Sequence, residues 1–132
     1  MGEVRPTATC VEANAHALAR CAALAQEAGL TPIVEPEVLI EGTHSLERCA
    51  EVSVATLRAV YEQLSRHRIV LEASLLKPNM ILPGDCSEQA SDDEIADCTI
   101  RVMRQAVPAA VPGIVFLSGG QSDELATAHL DA

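Results

Sequence analysis

The 132-residue chain reads as an α/β protein, a leading helix followed by three parallel strand–helix units. Short, continuous apolar runs such as Ile69-Val70-Leu71 and Gly113–Leu117 (GIVFL) fit strands covered on both faces, not half-solvated ones. Between them lie longer stretches with apolar residues at helical spacing. Strand starts recur near residues 31, 69 and 113, which leaves room for one helix between successive strands. That rhythm suits a (β/α)8 barrel or a doubly wound sheet, and in both the functional side is formed by the C-terminal ends of the strands.

After a short lead containing Pro6, Val11–Gly29 is dominated by alanine and leucine, with Gly29 where a helix C-cap belongs. Thr31–Val38 (TPIVEPEV) predicts a strand with two carboxylates at its C-terminal end. His44–Arg66 predicts a second helix, with Leu46, Cys49, Val52, Leu57, Val60 and Leu64 among its apolar positions and Arg66 in a last turn that suits the helix dipole. Arg68–Leu76 is the second strand and Pro83–Ala90 a loop. Ser91-Asp92-Asp93-Glu94 has the spacing of a capping box and opens a third helix to about Ala106, closed by Pro108 and Pro112. Gly113–Leu117 is the third strand. Ser118-Gly119-Gly120-Gln121 is a tight turn, and Ser122-Asp123-Glu124 starts the last helix.

Hydrophobic residues make up 48% of the chain but aromatics only 2%, so the core must be built from Ala, Leu, Val and Ile. The net charge of −10 argues against nucleic acid and against an anionic membrane surface, both of which call for clustered Lys and Arg. No apolar run approaches the ~20 residues of a membrane span, and the polar N-terminus lacks the apolar stretch of a signal peptide. The five cysteines (Cys10, Cys21, Cys49, Cys86, Cys98) are odd in number and include no CxxC pair, which suggests free thiols in a reducing cytoplasm. His16, His44, His67 and His129 fall at no metal-ligand spacing, so no metal is expected.

One residue stands apart. Lys77 is the only lysine among nine basic residues, and it ends an apolar run just before Pro78. An amine with a pKa of about 10.4 is protonated at neutral pH, and desolvation at a strand end would favour the neutral, nucleophilic form that makes a Schiff base with a carbonyl. The alternative is a lysine snorkelling from a strand end with its stem on apolar surface. Glu35 and Glu37, two apart around Pro36, share one side of a regular strand and form either a proton shuttle or a solvated strand end. Ser118-Gly119-Gly120 before a helix N-terminus presents backbone N–H groups that suit a phosphate, or is only a turn. Asn79 either orients Lys77 or simply forms a turn. Together, an acid pair, a single lysine and an anion cradle on successive parallel strands describe a Schiff-base enzyme acting on a phosphorylated carbonyl compound.

Thr31–Leu39 (TPIVEPEVL), Leu71–Met80 (LEASLLKPNM) and Val107–Gln121 (VPAAVPGIVFLSGGQ) resemble class I fructose-bisphosphate aldolases. Ala13–Leu30 and Thr43–Tyr61 are similar to the intervening helices of that family. The resemblance covers essentially the whole chain. It implies that Lys77 forms the imine with dihydroxyacetone phosphate or fructose 1,6-bisphosphate and that Glu35 is the acid and base of the proton transfers. It also implies that Glu37 supports Glu35, and that Ser118, Gly119 and Gly120 form the loop holding the C1 phosphate. No cofactor is implied, because the protonated imine is itself the electron sink. The family usually reads LEGTLLKPNM, so Ala73 and Ser74 replace glycine and threonine here. It is commonly tetrameric and acts in glycolysis and gluconeogenesis.

An eight-stranded barrel takes on the order of 200–250 residues, so the resemblance implies a partial (β/α)8 TIM barrel. Residues 1–132 would be a fragment of a single aldolase domain, running from just after strand four to just after strand seven. Such a fragment alone is expected to show little or no aldolase activity. Two other readings stand beside this one: a non-catalytic barrel fragment that self-associates through its open edges, and another lysine-dependent aldolase of the transaldolase or deoxyribose-phosphate type.

Overall fold

The computed structural model describes residues 6–132, and the polar lead before Pro6 lies outside them. α1 (Ala8–Glu27) begins three residues earlier than its alanine-rich stretch predicts, because Thr7 caps it: the Thr7 hydroxyl accepts from the Cys10 N–H at 3.2 Å. The helix stops at Gly29, whose φ of +74° turns the chain so that Gly29 and Leu30 donate back to the Gln26 and Ala25 carbonyls. Its buried residues are Ala15, Ala19 and Ala22, on one face. Side chains this small let α1 lie close to α2 (Leu46–Arg66), where they pack with Val60, Leu64 and Ile69.

α2 is the central helix of the core. Val60 and Leu64 turn toward α1, whereas Cys49, Ala50 and Leu57 pack with Cys98, Val102 and Met103 of α3 (Asp92–Ala106). Tyr61 packs against both groups, and burial pushes its phenol up to about 12. Phe116 packs against the core as well; the buried residues are otherwise mainly Ala, Leu, Val and Ile, as the composition requires, with Cys49, Cys98, Met80 and Met103 among them. α3 opens with the predicted capping box: Ser91 accepts from the Glu94 N–H while the Glu94 carboxylate accepts from the Ser91 N–H at 2.9 Å. α4 (Asp123–Asp131) is capped by Ser122.

The strands are parallel, as expected, and much shorter than expected. β1 (Ile33–Val34) pairs with β2 (Leu75–Leu76), and residues 113–117 join β2 through one bridge, Leu76 to Ile114. Proline sets these limits. The Lys77 N–H donates to the Val34 carbonyl at 2.8 Å, but the next rung would need an N–H from Pro36, which has none. On the other side Val115 donates to Leu76 and Leu117 to Pro78, while Pro78 has nothing to give back.

The predicted strand Arg68–Leu76 is corrected for a different reason. Arg68 takes a left-handed conformation (φ +58°) and Leu71–Ala73 is a single 3₁₀ turn, so extended pairing begins only at Leu75. Here the apolar residues serve the helices: Ile69 and Leu71 pack between α1 and α2, and the Gln26 side chain of α1 holds both the N–H and the carbonyl of Val70.

Alternation along these strands separates two faces. Val34 and Leu76 are buried under the helices, whereas Ile33 and Val115, on the opposite face, are 56% and 44% exposed. Past the strands, two loops interlock. Gly84 donates to His44, Asp85 to Ile40 and Cys86 to Gly42, and the Asp85 carboxylate accepts from the Gly42 N–H at 2.8 Å. These backbones approach so closely that a Cβ on Gly84 would lie 2.3 Å from the Gly42 carbonyl oxygen.

Candidate active site

The register that pairs Val34 with Leu76 puts Glu35 opposite Lys77, both just past the C-terminal ends of their strands. Their side chains meet: Lys77 Nζ lies 2.9 Å from Glu35 Oε1. Lys77 is 38% and Glu35 47% exposed by side chain, on the same face as Ile33 and Val115. The expected dry surroundings of the amine are therefore corrected. The apolar run around Lys77 buries its neighbours Leu76, Pro78 and Asn79 toward the helices, and the period of two carries the lysine to the open side. A carboxylate, not an apolar wall, is what the amine meets. At this exposure the pair stabilises the fold by ~1 kcal/mol or less, so its interest is chemical.

Glu37 continues the alternation. Residues 33, 35 and 37 are exposed, and 32, 34 and 36 buried. Glu35 and Glu37 both line a groove of about 1100 Å³ that reaches Asn14 of α1 and His44 and Arg48 beside the start of α2. Lys77 is reached by Glu35. Asn79 ties two segments together: its side-chain oxygen accepts from the Val38 N–H at 2.9 Å and its amide donates to the Met80 carbonyl. It thus joins the two chain segments just beyond the rung that Pro36 removes.

Leu117, bonded to the Pro78 carbonyl, delivers the glycine turn to the same end of the strands. Gly119 and Gly120 have φ of +62° and +85°. A Cβ on Gly120 would press to 3.0 Å from Ile40, so glycine is required there on two counts. Among the described residues neither glycine N–H donates to a backbone carbonyl, while Ser118 is exposed. The lysine, the acid pair and the turn thus share one end of the strands. Sequence reasoning missed Asp92, Gln121 and His129, which form a chain of contacts behind the turn. Asp92 and His129 lie 37 positions apart on different helices, and no local pattern announces such a pair. No group of three or more metal-ligating side chains occurs among the described residues. Nor, among them, is any helix long and apolar enough to cross a membrane.

This arrangement has close relatives. The family model for class-I fructose-bisphosphate aldolase matches residues 1–132. A probable class 1 fructose-bisphosphate aldolase of Xanthomonas campestris pv. campestris is 54% identical over 132 residues, covering 99% of this chain and 40% of that protein. Fructose-bisphosphate aldolase 5, cytosolic, of Arabidopsis thaliana is 50% identical, with 100% of this chain and 37% of that protein covered. A solved structure of fructose-bisphosphate aldolase from Plasmodium falciparum, in complex with TRAP and a small-molecule inhibitor, superposes with a TM-score of 0.93. It shares 43% identity over 96% of this chain and 37% of that one. The chain spans about 40% of the length of the curated Xanthomonas relative. With the family model matched from end to end, the chain belongs to the class I fructose-bisphosphate aldolase family.

Proposed function

We propose that this chain carries the imine-forming site of a class I fructose-bisphosphate aldolase. That enzyme reversibly cleaves fructose 1,6-bisphosphate to dihydroxyacetone phosphate and glyceraldehyde 3-phosphate in glycolysis and gluconeogenesis. The observation that carries the reading is the 2.9 Å contact between Lys77 and Glu35 at the strand ends. The amine must lose a proton before it attacks, and Glu35 is within reach to take it. Attack of neutral Lys77 on the sugar ketone gives a carbinolamine. Glu35 returns a proton to the departing hydroxyl, so water leaves and the imine forms. Glu35, again a carboxylate, then takes the C4 hydroxyl proton, the C3–C4 bond breaks to release the aldehyde, and the protonated imine draws in the electron pair to become an enamine. Glu37 keeps the local charge and proton supply in balance. The Ser118 hydroxyl and the N–H groups of Gly119 and Gly120 hold the C1 phosphate.

On this reading the three parallel segments are part of a (β/α)8 barrel, residues 1–132 are one stretch of a single domain, and the open strand face looks into the barrel. Alone, the stretch would have little cleavage activity, because the rest of the substrate pocket is supplied by other strands. The reading takes the protein as cytoplasmic, metal-free, bound to a phosphorylated sugar and assembled as a homo-oligomer. To test it, residues 6–132 replace the matching segment of the Xanthomonas relative, dihydroxyacetone phosphate is added, and borohydride reduces any imine. An adduct mapped by mass to Lys77 is expected, and its absence rejects the assignment. The exposed apolar residues Ile33, Leu39 and Val115 favour a second reading for the chain by itself, self-association through the open face. A compact monomer in sedimentation would exclude it.

A further inference from the structure

The carbonyl of Ser118 receives two donors, the backbone N–H of Gln121 at 3.2 Å and the Gln121 side-chain amide at 2.9 Å. The same amide nitrogen lies 3.8 Å from Met80 Sδ, in the segment that follows Lys77. With its NH₂ turned to the carbonyl, Gln121 must turn its oxygen the other way, and that oxygen meets Nδ1 of His129. The other ring nitrogen, Nε2, lies 3.2 Å from Asp92 Oδ1, at the start of α3. Each ring nitrogen thus faces an oxygen acceptor, and the tautomer decides which of the two receives the imidazole N–H. The His129 side chain is only 6% exposed, whereas that of Asp92 is 54% exposed.

We propose that His129 is a positioning residue for the phosphate-binding turn, acting through Gln121 and braced by Asp92. This rests on the reading of Ser118–Gly120 as the phosphate cradle. The reason lies in one peptide plane. The Ser118 carbonyl and the Gly119 N–H belong to the same planar trans unit and point in opposite directions. Holding the carbonyl inward on Gln121 aims the Gly119 N–H outward, toward an incoming phosphate. Gly119 and Gly120, both at positive φ, have little intrinsic preference for that orientation. The strut from α3 through α4 selects it. His129 touches neither substrate nor reacting atoms.

The test uses the ¹⁵N-labelled chain, inorganic phosphate as probe, and amide hydrogen exchange in its absence. In His129→Ala the Gln121 amide is expected to exchange about tenfold faster, and the phosphate concentration that half-shifts the Gly119 resonance to rise about tenfold, as for a lost buried hydrogen bond. Amides in the middle of α2, such as Leu57 and Val60, are expected to keep their rates. Asp92→Ala, at an exposed position that leaves α4 in place, is expected to act in the same direction by about threefold. Asp92→Asn keeps an oxygen acceptor and is expected to restore both readings. Unchanged exchange at Gln121 in both alanine variants, or an equal acceleration at Leu57 and Val60, overturns the proposal. If phosphate leaves the Gly119 resonance of the unaltered chain unmoved, the cradle reading fails, and the exchange rates still decide whether the strut holds the turn.

Discussion

The two faces of the same short strands are built on opposite terms. Toward the helices, Val34 and Leu76 are enclosed by α1, α2 and α3, and Leu76 is 1% exposed. Toward the open side, one residue along, lie Ile33, Glu35, Lys77 and Val115, with a proton donor and acceptor in direct contact. The covered face supplies stability and, on the proposed reading, the open one supplies chemistry. Dispersion and apolar transfer accumulate where packing is dense. An amine that has to gain and lose a proton needs a carboxylate and access, which dense packing would deny.

Paired truncations give the sharpest test of that contrast. Leu76→Ala removes a fully enclosed side chain and is expected to cost about 3 kcal/mol in urea unfolding. Ile33→Ala, on the neighbouring strand and the other face, is expected to change stability by less than about 0.5 kcal/mol. Equal losses would mean that the open face is covered in solution. A smaller effect is expected at the junction between the strand ends. Asn79→Ala leaves the buried side of the Val38 N–H without its acceptor and is expected to cost about 1–2 kcal/mol, with the borohydride adduct on Lys77 retained in the grafted enzyme. Loss of the adduct at unchanged stability would return Asn79 to the role of orienting the lysine.

Another modest effect is expected at the far end of the covered side, the capping box. Hydrogen bonds from the Ser91 N–H and hydroxyl hold the Glu94 carboxyl below its usual range. A carboxylate held low in the folded state adds stability that is fully present above the ordinary glutamate range. That contribution is lost as pH falls through the folded value. Ser91→Ala removes the N-cap acceptor and is expected to lower stability at pH 7 by about 1 kcal/mol. It is expected to lower it less in acid, because it also removes the hydroxyl's bond to the Glu94 carboxylate. An unchanged difference at both pH values would detach the effect from the box.

Local signals made the helices legible. Gly29, Ser91 with Glu94, and Ser122 mark ends that the structure keeps to within a few residues. The strands were legible in direction and order but not in length. Apolar runs were read as ladders, whereas Pro36 and Pro78 cut the rungs and Ile69 and Leu71 serve the helical core instead. That Lys77, Glu35 and the glycine turn meet at one end of the strands was legible because parallel strands bring their C-terminal ends together. The exposure of Lys77 was not, since a run of apolar neighbours says nothing about which side of a strand each one takes. The bond from Val38 to Asn79 and the Asp92–His129–Gln121 chain escaped notice because their partners lie tens of residues away or on separate helices.

The interlocked loops carry a consequence for how this chain meets proteases. Residues 83–87 have no helix or strand, yet Gly84, Asp85 and Cys86 are each tied to the segment 40–44. A protease must draw an extended stretch of substrate into its cleft, and here that would mean peeling two segments apart at once. These two loops therefore resist nicking better than their irregular shape suggests.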